Sequence, residues 1–141
     1  MTVKQLSIFL ENKSGRLTEV LEALGEEKIN IKALTIADTS EYGILRMIVS
    51  NPDKAYSLLK EKGFSANLTD VVSISTPSEA GSFARVIKIF SDAGISIEYM
   101  YAFPFDNKTM LVMRAENNFK AIEVIQSHNL ELLRGKDFYD L

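Results

Sequence analysis

Leu10-Glu11-Asn12-Lys13-Ser14-Gly15-Arg16-Leu17 and Thr76-Pro77-Ser78-Glu79-Ala80-Gly81-Ser82-Phe83 are the two stretches that decide the fold. In each, a strand-like pattern runs into a short polar turn, the turn reaches a glycine, and an apolar helical pattern begins. Gly15 and Gly81 lie 66 residues apart, and the same shift carries much of the chain onto itself. Ser7-Ile8 falls on Ser73-Ile74, Ile29-Asn30-Ile31 on Ile95-Ser96-Ile97, and Leu45 and Met47 on Leu111 and Met113. Asn51, Lys54 and Ala55 fall on Asn117, Lys120 and Ala121. The register needs no gap from the first strand to the second helix. One unit is written twice, which predicts domains over 1–69 and 70–141.

Reading outward from the first turn, Leu6, Ile8 and Leu10 alternate with Gln5, Ser7 and Glu11 as in a half-buried strand, with Phe9 breaking the polar face. Leu17, Val20, Leu21 and Leu24 share one helix face, and Phe83, Val86, Ile87 and Phe90 hold the same places in the second unit. Lys28 and Gly94 end these helices. A second strand alternates through Ile29, Ile31 and Ala33, or Ile95, Ile97 and Tyr99. Turns at Thr39–Gly43 and Phe105–Lys108 lead to third strands. A second helix opens at Asn51-Pro52-Asp53 and buries Ala55, Leu58 and Leu59, matched by Ala121, Val124 and Ile125. Fourth strands begin near Phe64 and Leu130. The order β-α-β-β-α-β, twice, is the ferredoxin-like plan of the α+β class, with both helices on one face of an antiparallel sheet. No Pro/Gly/Ser-rich linker separates the units, so they are expected to pack side by side, hiding otherwise open sheet edges.

Composition narrows the function. Hydrophobic residues make up 46% and charged residues 25% of 141, the values of a globular protein rather than a disordered one. The net charge of −3, with no basic stripe, argues against nucleic-acid binding. That holds although Tyr99, Tyr101, Phe103 and Phe105 alternate like the stacking rings of an RNA-binding sheet. Packing at an inter-unit or subunit interface is the plainer account of those rings. No apolar run approaches the roughly 20 residues that span a membrane, and Met1-Thr2-Val3-Lys4-Gln5 leads straight into a strand without a signal-peptide core. The expected compartment is the cytoplasm. With no cysteine and one histidine, His128 at a helix end, disulfides, thiolate catalysis and sulfur-bound metals are excluded. We assign no catalytic residue, no metal site and no cofactor.

The turn glycines are where a ligand fits. Glycine there allows backbone torsions closed to other residues and a close approach to the main chain, beside helix N–H groups that attract a carboxylate or phosphate. The plainer alternative is that Gly15 is only a turn glycine and Ser14 only a helix N-cap. Arg16 after the glycine raises a small phosphatase-like enzyme of this topology, but the second unit has Ser82 there, and an exposed arginine is the simpler reading.

These turns, with Ile29-Asn30-Ile31 and Ala93-Gly94-Ile95-Ser96-Ile97, resemble the ACT domain, the small ligand-binding module of amino-acid metabolism. Its pattern is roughly Asn/Asp-x-Pro-Gly-x-Leu, a helix, then Gly-x-Asn-Ile. The resemblance covers the chain as two copies and is closest to stand-alone tandem ACT proteins. It implies a non-catalytic regulatory protein that binds a free amino acid where paired units meet. The residues it marks are Asn12, Lys13, Ser14, Gly15, Arg16 and Leu17 with Asn30 and Ile31 in the first unit. In the second they are Ser78, Glu79, Ala80, Gly81, Ser82 and Phe83 with Ser96 and Ile97. The ligand's carboxylate is expected on turn N–H groups and its ammonium on carbonyl oxygens such as those of Asn12 or Asn30. A homodimer and a biosynthetic enzyme partner are expected, or alternatively an accessory enzyme subunit with no ligand of its own. The family's proline is replaced by Ser14 and Ala80, and the asparagines of the first unit by Ser78 and Ser96, so the two sites should be unequal, the first being the better one.

Overall fold

Alternating apolar residues, helical apolar faces and left-handed helix ends produce twelve elements among the described residues. The computed structural model of the chain describes residues 2–11, 13–38 and 41–139. In order they are β1 (Val3–Glu11), α1 (Arg16–Glu26), β2 (Ile31–Asp38), β3 (Tyr42–Val49), α2 (Pro52–Glu61) and β4 (Ser65–Pro77), followed by α3 (Ser82–Asp92), β5 (Ile97–Phe105), β6 (Lys108–Ala115), α4 (Asn118–Ser127), β7 (Glu131–Leu133) and α5 (Lys136–Tyr139). The expected turn residues Thr39 and Ser40 lie outside the described residues.

The chain forms two compact units. The N-terminal unit is Lys4–Thr69 with Lys136–Leu141, and the C-terminal unit is Asp70–Gly135 with Met1–Val3. The change of unit falls inside β4, so no linker intervenes. Each unit also takes a short end of the chain from beyond its own repeat. In the C-terminal unit the Thr2 hydroxyl donates to the Asp70 carboxylate at 3.2 Å. In the N-terminal unit α5 packs on β3, and the Lys4 N–H donates to the Tyr139 hydroxyl at 2.7 Å. Helix α5 has no counterpart in the repeat and no periodic signal four residues could provide.

Both units are ferredoxin-like βαββαβ. The N-terminal sheet runs β2-β3-β1-β4, and the C-terminal sheet β5-β6-β4-β7. Cross-strand partners repeat at the same spacing: Leu6 opposes Met47 and Ile8 opposes Leu45, as Val72 opposes Met113 and Ile74 opposes Leu111. These residues form the floor of each core. Val20, Leu24, Ala55 and Leu59 close the first from the helices, and Val86, Phe90, Ala121 and Ile125 close the second. Each fully buried Leu, Ile, Phe or Met contributes about 1.5–3 kcal/mol. The opposite sheet face is less polar and less exposed than the alternation predicts. Gln5 is fully buried, as is Ile48, which points away from Met47 on the strand that carries α5. Leu17, Leu21, Leu58 and Val124 are half-buried rather than central.

All four long helices end alike. Lys28, Gly63, Gly94 and Asn129 have φ of 58°, 87°, 72° and 54°. The next N–H reaches five residues back: Ile29 to the Leu24 carbonyl and Phe64 to Leu59 at 2.9 Å, Ile95 to Phe90 at 2.9 Å, and Leu130 to Ile125 at 3.0 Å. This left-handed closure suits glycine or asparagine. Lys28 occupies it with a full side chain, which costs about 1–2 kcal/mol. Lys28→Gly should therefore stabilise the protein by about 0.5–1 kcal/mol after glycine's own entropic penalty, read as a rise in the urea midpoint at unchanged slope.

Candidate functional site

The two strand-to-helix turns have the same backbone. The N–H of Lys13 donates to the Glu11 carbonyl at 2.8 Å, and the N–H of Glu79 to the Pro77 carbonyl at 3.0 Å. Arg16 N–H reaches the Lys13 carbonyl at 3.3 Å, and Ser82 N–H the Glu79 carbonyl at 3.2 Å. Gly15 and Gly81 sit at the N-cap in the left-handed region, with φ of 88° and 86°. The cap is thus the glycine and not Ser14, and neither helix has a side-chain cap. The N–H groups of Leu17 and Thr18, and of Phe83 and Ala84, have no acceptor among the described residues. Unpaired first-turn N–H groups with the positive end of the helix dipole suit an anion.

Side chains differ more than the backbone does. Asn12 lies outside the described residues. Lys13, Ser14 and Gly15 are exposed, and Lys13 Nζ pairs with Glu11 Oε2 at 2.9 Å. That ammonium, hydrogen-bonded and adjacent, holds the Glu11 carboxyl below the usual carboxylate range. Arg16 is not the exposed arginine expected from sequence. It is half-buried, stacks over the Phe64 ring at 4.8 Å and pairs with Glu19 at 2.9 Å. Its guanidinium is thereby engaged inside its own unit, and Leu17 packs on the core.

In the second unit the turn opens onto a hollow of about 570 Å³ lined by Ser78, Glu79, Ala80, Gly81 and Phe83 with Pro77, Ala84 and Thr109. Phe83, expected in the core, is 41% exposed and forms a wall of this hollow. Ser78 Oγ shares a hydrogen bond with Thr109 Oγ1 at 2.7 Å. Ser82 turns inward, is buried, and accepts from Arg85 Nη2 at 3.2 Å. The same guanidinium lies 3.5 Å from Glu79 Oε1. Thr109 and Arg85 are absent from the motif. Arg85 was signalled only by standing one helical turn beyond Gly81, and Thr109 by nothing local, since β6 brings it there.

Asn30, Ile31, Ser96 and Ile97 do not join the turn of their own unit. β1 delivers Glu11 opposite Tyr42 at one end of β3, whereas Ile31 opposes Val49 at the other, about 23 Å away at strand rise. Asn30 N–H donates to Ser50 Oγ at 2.9 Å, and its carbonyl accepts from the Ser50 N–H at 2.9 Å. The Ser96 carbonyl accepts from the Glu116 N–H at 3.0 Å in the same way. Ile31 and Ile97 pack on their cores. Tyr99, Tyr101, Phe103 and Phe105 are half-buried on the helix-free face of β5, and exposed His128 caps the end of α4. No helix among the described residues is long and apolar enough to cross a membrane.

Duplicated βαββαβ units with left-handed turn glycines define a class, and comparison with known proteins gives its family. The family model described as an ACT domain pair matches residues 1–141. The chain belongs to the ACT domain family as such a pair. A crystal structure of a protein from Bacteroides thetaiotaomicron is 52% identical, covers 100% of this chain and 98% of its own, and superposes with a TM-score of 0.95. The ligand-free regulatory subunit of aspartate kinase from Thermus thermophilus shares the fold at 19% identity and a TM-score of 0.62, over 88% of this chain and 91% of that one. The acetolactate synthase small subunit of Haemophilus influenzae is 32% identical over 82 residues, 58% of this chain. The match spans 50% of that curated relative's length.

Two outcomes test the turns. Gly15→Ala and Gly81→Ala should each destabilise by about 1–2 kcal/mol in denaturant titrations, because a Cβ is strained at these torsions. Arg85 Nη1, 3.3 Å from the added Cβ at position 81, is the end of a flexible side chain and moves aside. Lys13→Ala should raise the Glu11 pKa toward the ordinary value in a carboxyl-carbon NMR titration. The stabilisation from the lowered pKa is present above the ordinary value and lost as pH falls through the folded one.

Proposed function

We propose that this protein is a regulatory amino-acid sensor with no chemistry of its own. A free amino acid binds through the strand-to-helix turns, its carboxylate accepting from first-turn N–H groups beside Gly15 or Gly81. Asn12–Leu17 and Ser78–Phe83 supply the turn side of the site, and Asn30, Ile31, Ser96 and Ile97, a strand's length from the turn of their own unit, serve the turn of a neighbouring unit. Ligand stabilises one packing of the units, and a second copy of the chain or a biosynthetic enzyme partner reads that state. The observation that carries this reading is the doubled turn, alike in torsion and backbone hydrogen bonding, with the N–H groups of Leu17, Thr18, Phe83 and Ala84 lacking an acceptor among the described residues. Membership of the ACT family and the likeness to a synthase small subunit support a regulatory role over an enzymatic one.

Thermal melting of the full chain against each standard amino acid at millimolar concentration tests it. A ligand at about 100 times its Kd adds about 2.7 kcal/mol, enough to raise the melting temperature by several degrees. Selective stabilisation by one amino acid, or a few of similar shape, is the expected result. A flat screen combined with co-purification of a biosynthetic enzyme would instead favour an accessory subunit without a ligand.

A further inference from the structure

The units repeat one another closely, but the lysine on the first turn of the second helix has different surroundings in each. In the N-terminal unit Lys54 Nζ lies 3.3 Å from Glu27 Oε2 and 3.4 Å from the Glu27 carbonyl oxygen. The matching residues are Lys120 and Ala93. A methyl group cannot pair with an ammonium, and the Lys120 side chain has no hydrogen bond or ion pair among the described residues. A second change accompanies the first. Ser50, whose hydroxyl accepts from the Asn30 N–H, becomes Glu116, and the Glu116 side chain has no partner among the described residues either.

Glu116 and Lys120 line one hollow of about 380 Å³ with Gly94, Ile95, Ser96 and Asn117, between the start of β5 and the start of α4. That volume is in the range of small-molecule sites. Asn117 accepts from the Lys120 N–H at 3.1 Å, which fixes the first helical turn and the lysine stem. Two opposite charges therefore face one hollow with no ion pair between them.

We infer that this hollow, which shares no residue with the strand-to-helix turns, is a separate site for a small zwitterion of the α-amino-acid class, with Lys120 holding the carboxylate and Glu116 the ammonium. The inference rests on the reading that the chain binds a free amino acid. It adds two binding residues outside the turn motif and makes the chain unequal: the Glu27–Lys54 pair closes the equivalent place in the N-terminal unit, so one hollow per chain is filled. Binding weakens as salt screens the two charges.

Isothermal titration of the full chain tests this, first with each standard amino acid, then with the best binder against variants whose ligand-free melting temperatures match the parent. Lys120→Ala and Glu116→Gln should each weaken binding about tenfold, the loss expected for a hydrogen bond to a charged group. Ala93→Glu rebuilds the pair seen at Glu27 and Lys54 and should weaken binding to a similar degree without removing any binding residue. Glu27→Ala should leave the affinity unchanged. Full affinity in Lys120→Ala and Ala93→Glu, with binding retained by the parent chain, would overturn the zwitterion hollow and leave the turn reading standing. No binding of any amino acid to the parent chain would bring down both.

Discussion

A strand must become a helix within four residues, twice, and the backbone does this by placing one residue at a positive φ where a side chain would be strained. Gly15 and Gly81 hold that place with torsions within a few degrees of each other. The rest of each unit follows from it. The reversal lays the helix back across the sheet so that Val20 and Leu24, or Val86 and Phe90, meet the inward side chains of the first and third strands. It also leaves the N–H groups of Leu17 and Thr18, and of Phe83 and Ala84, without an acceptor among the described residues. A side-chain N-cap would satisfy those groups internally, and neither turn provides one.

The duplicated backbone carries side chains that have diverged in charge. Lys13 and Glu19 of the first turn stand where Glu79 and Arg85 stand in the second. Arg16 is folded over Phe64, whereas its counterpart Ser82 is buried under the Arg85 guanidinium. At the other end of the units, Glu27 pairs with Lys54, while Ala93 offers Lys120 no charge and that side chain has no partner among the described residues. The same scaffold therefore offers different polar groups at equivalent places, as expected when packing constrains the apolar positions and solvent leaves the polar ones free to drift.

Legibility from sequence differed by type of residue. The strands and long helices were readable because alternation and helical period report which side chains face the core. Helix ends were partly readable: Gly63 and Gly94 announce a left-handed closure, but Lys28 and Asn129 adopt it through context. The turn motif named Ser78, Glu79, Ala80, Gly81 and Phe83 around the second hollow but not Pro77, Ala84 or Thr109, the last of which arrives from another strand. Phe83 read as core because its spacing is right, yet the first turn of a helix overhangs the sheet's end, and the ring stays outside.

From the amino-acid order alone came the repeat, the βαββαβ plan and the glycine turns, all properties of local pattern and spacing. Tertiary structure alone decided three other things. It gave each unit a piece of chain from the far terminus, Met1–Val3 or Lys136–Leu141. It buried Gln5 and Ile48 on a face whose alternation promised solvent. And it separated Asn30 and Ser96 from the turns of their own units by the length of a strand. The physical reason is the same in each case: these features depend on contacts between residues far apart in the chain, and no window of neighbouring residues contains them.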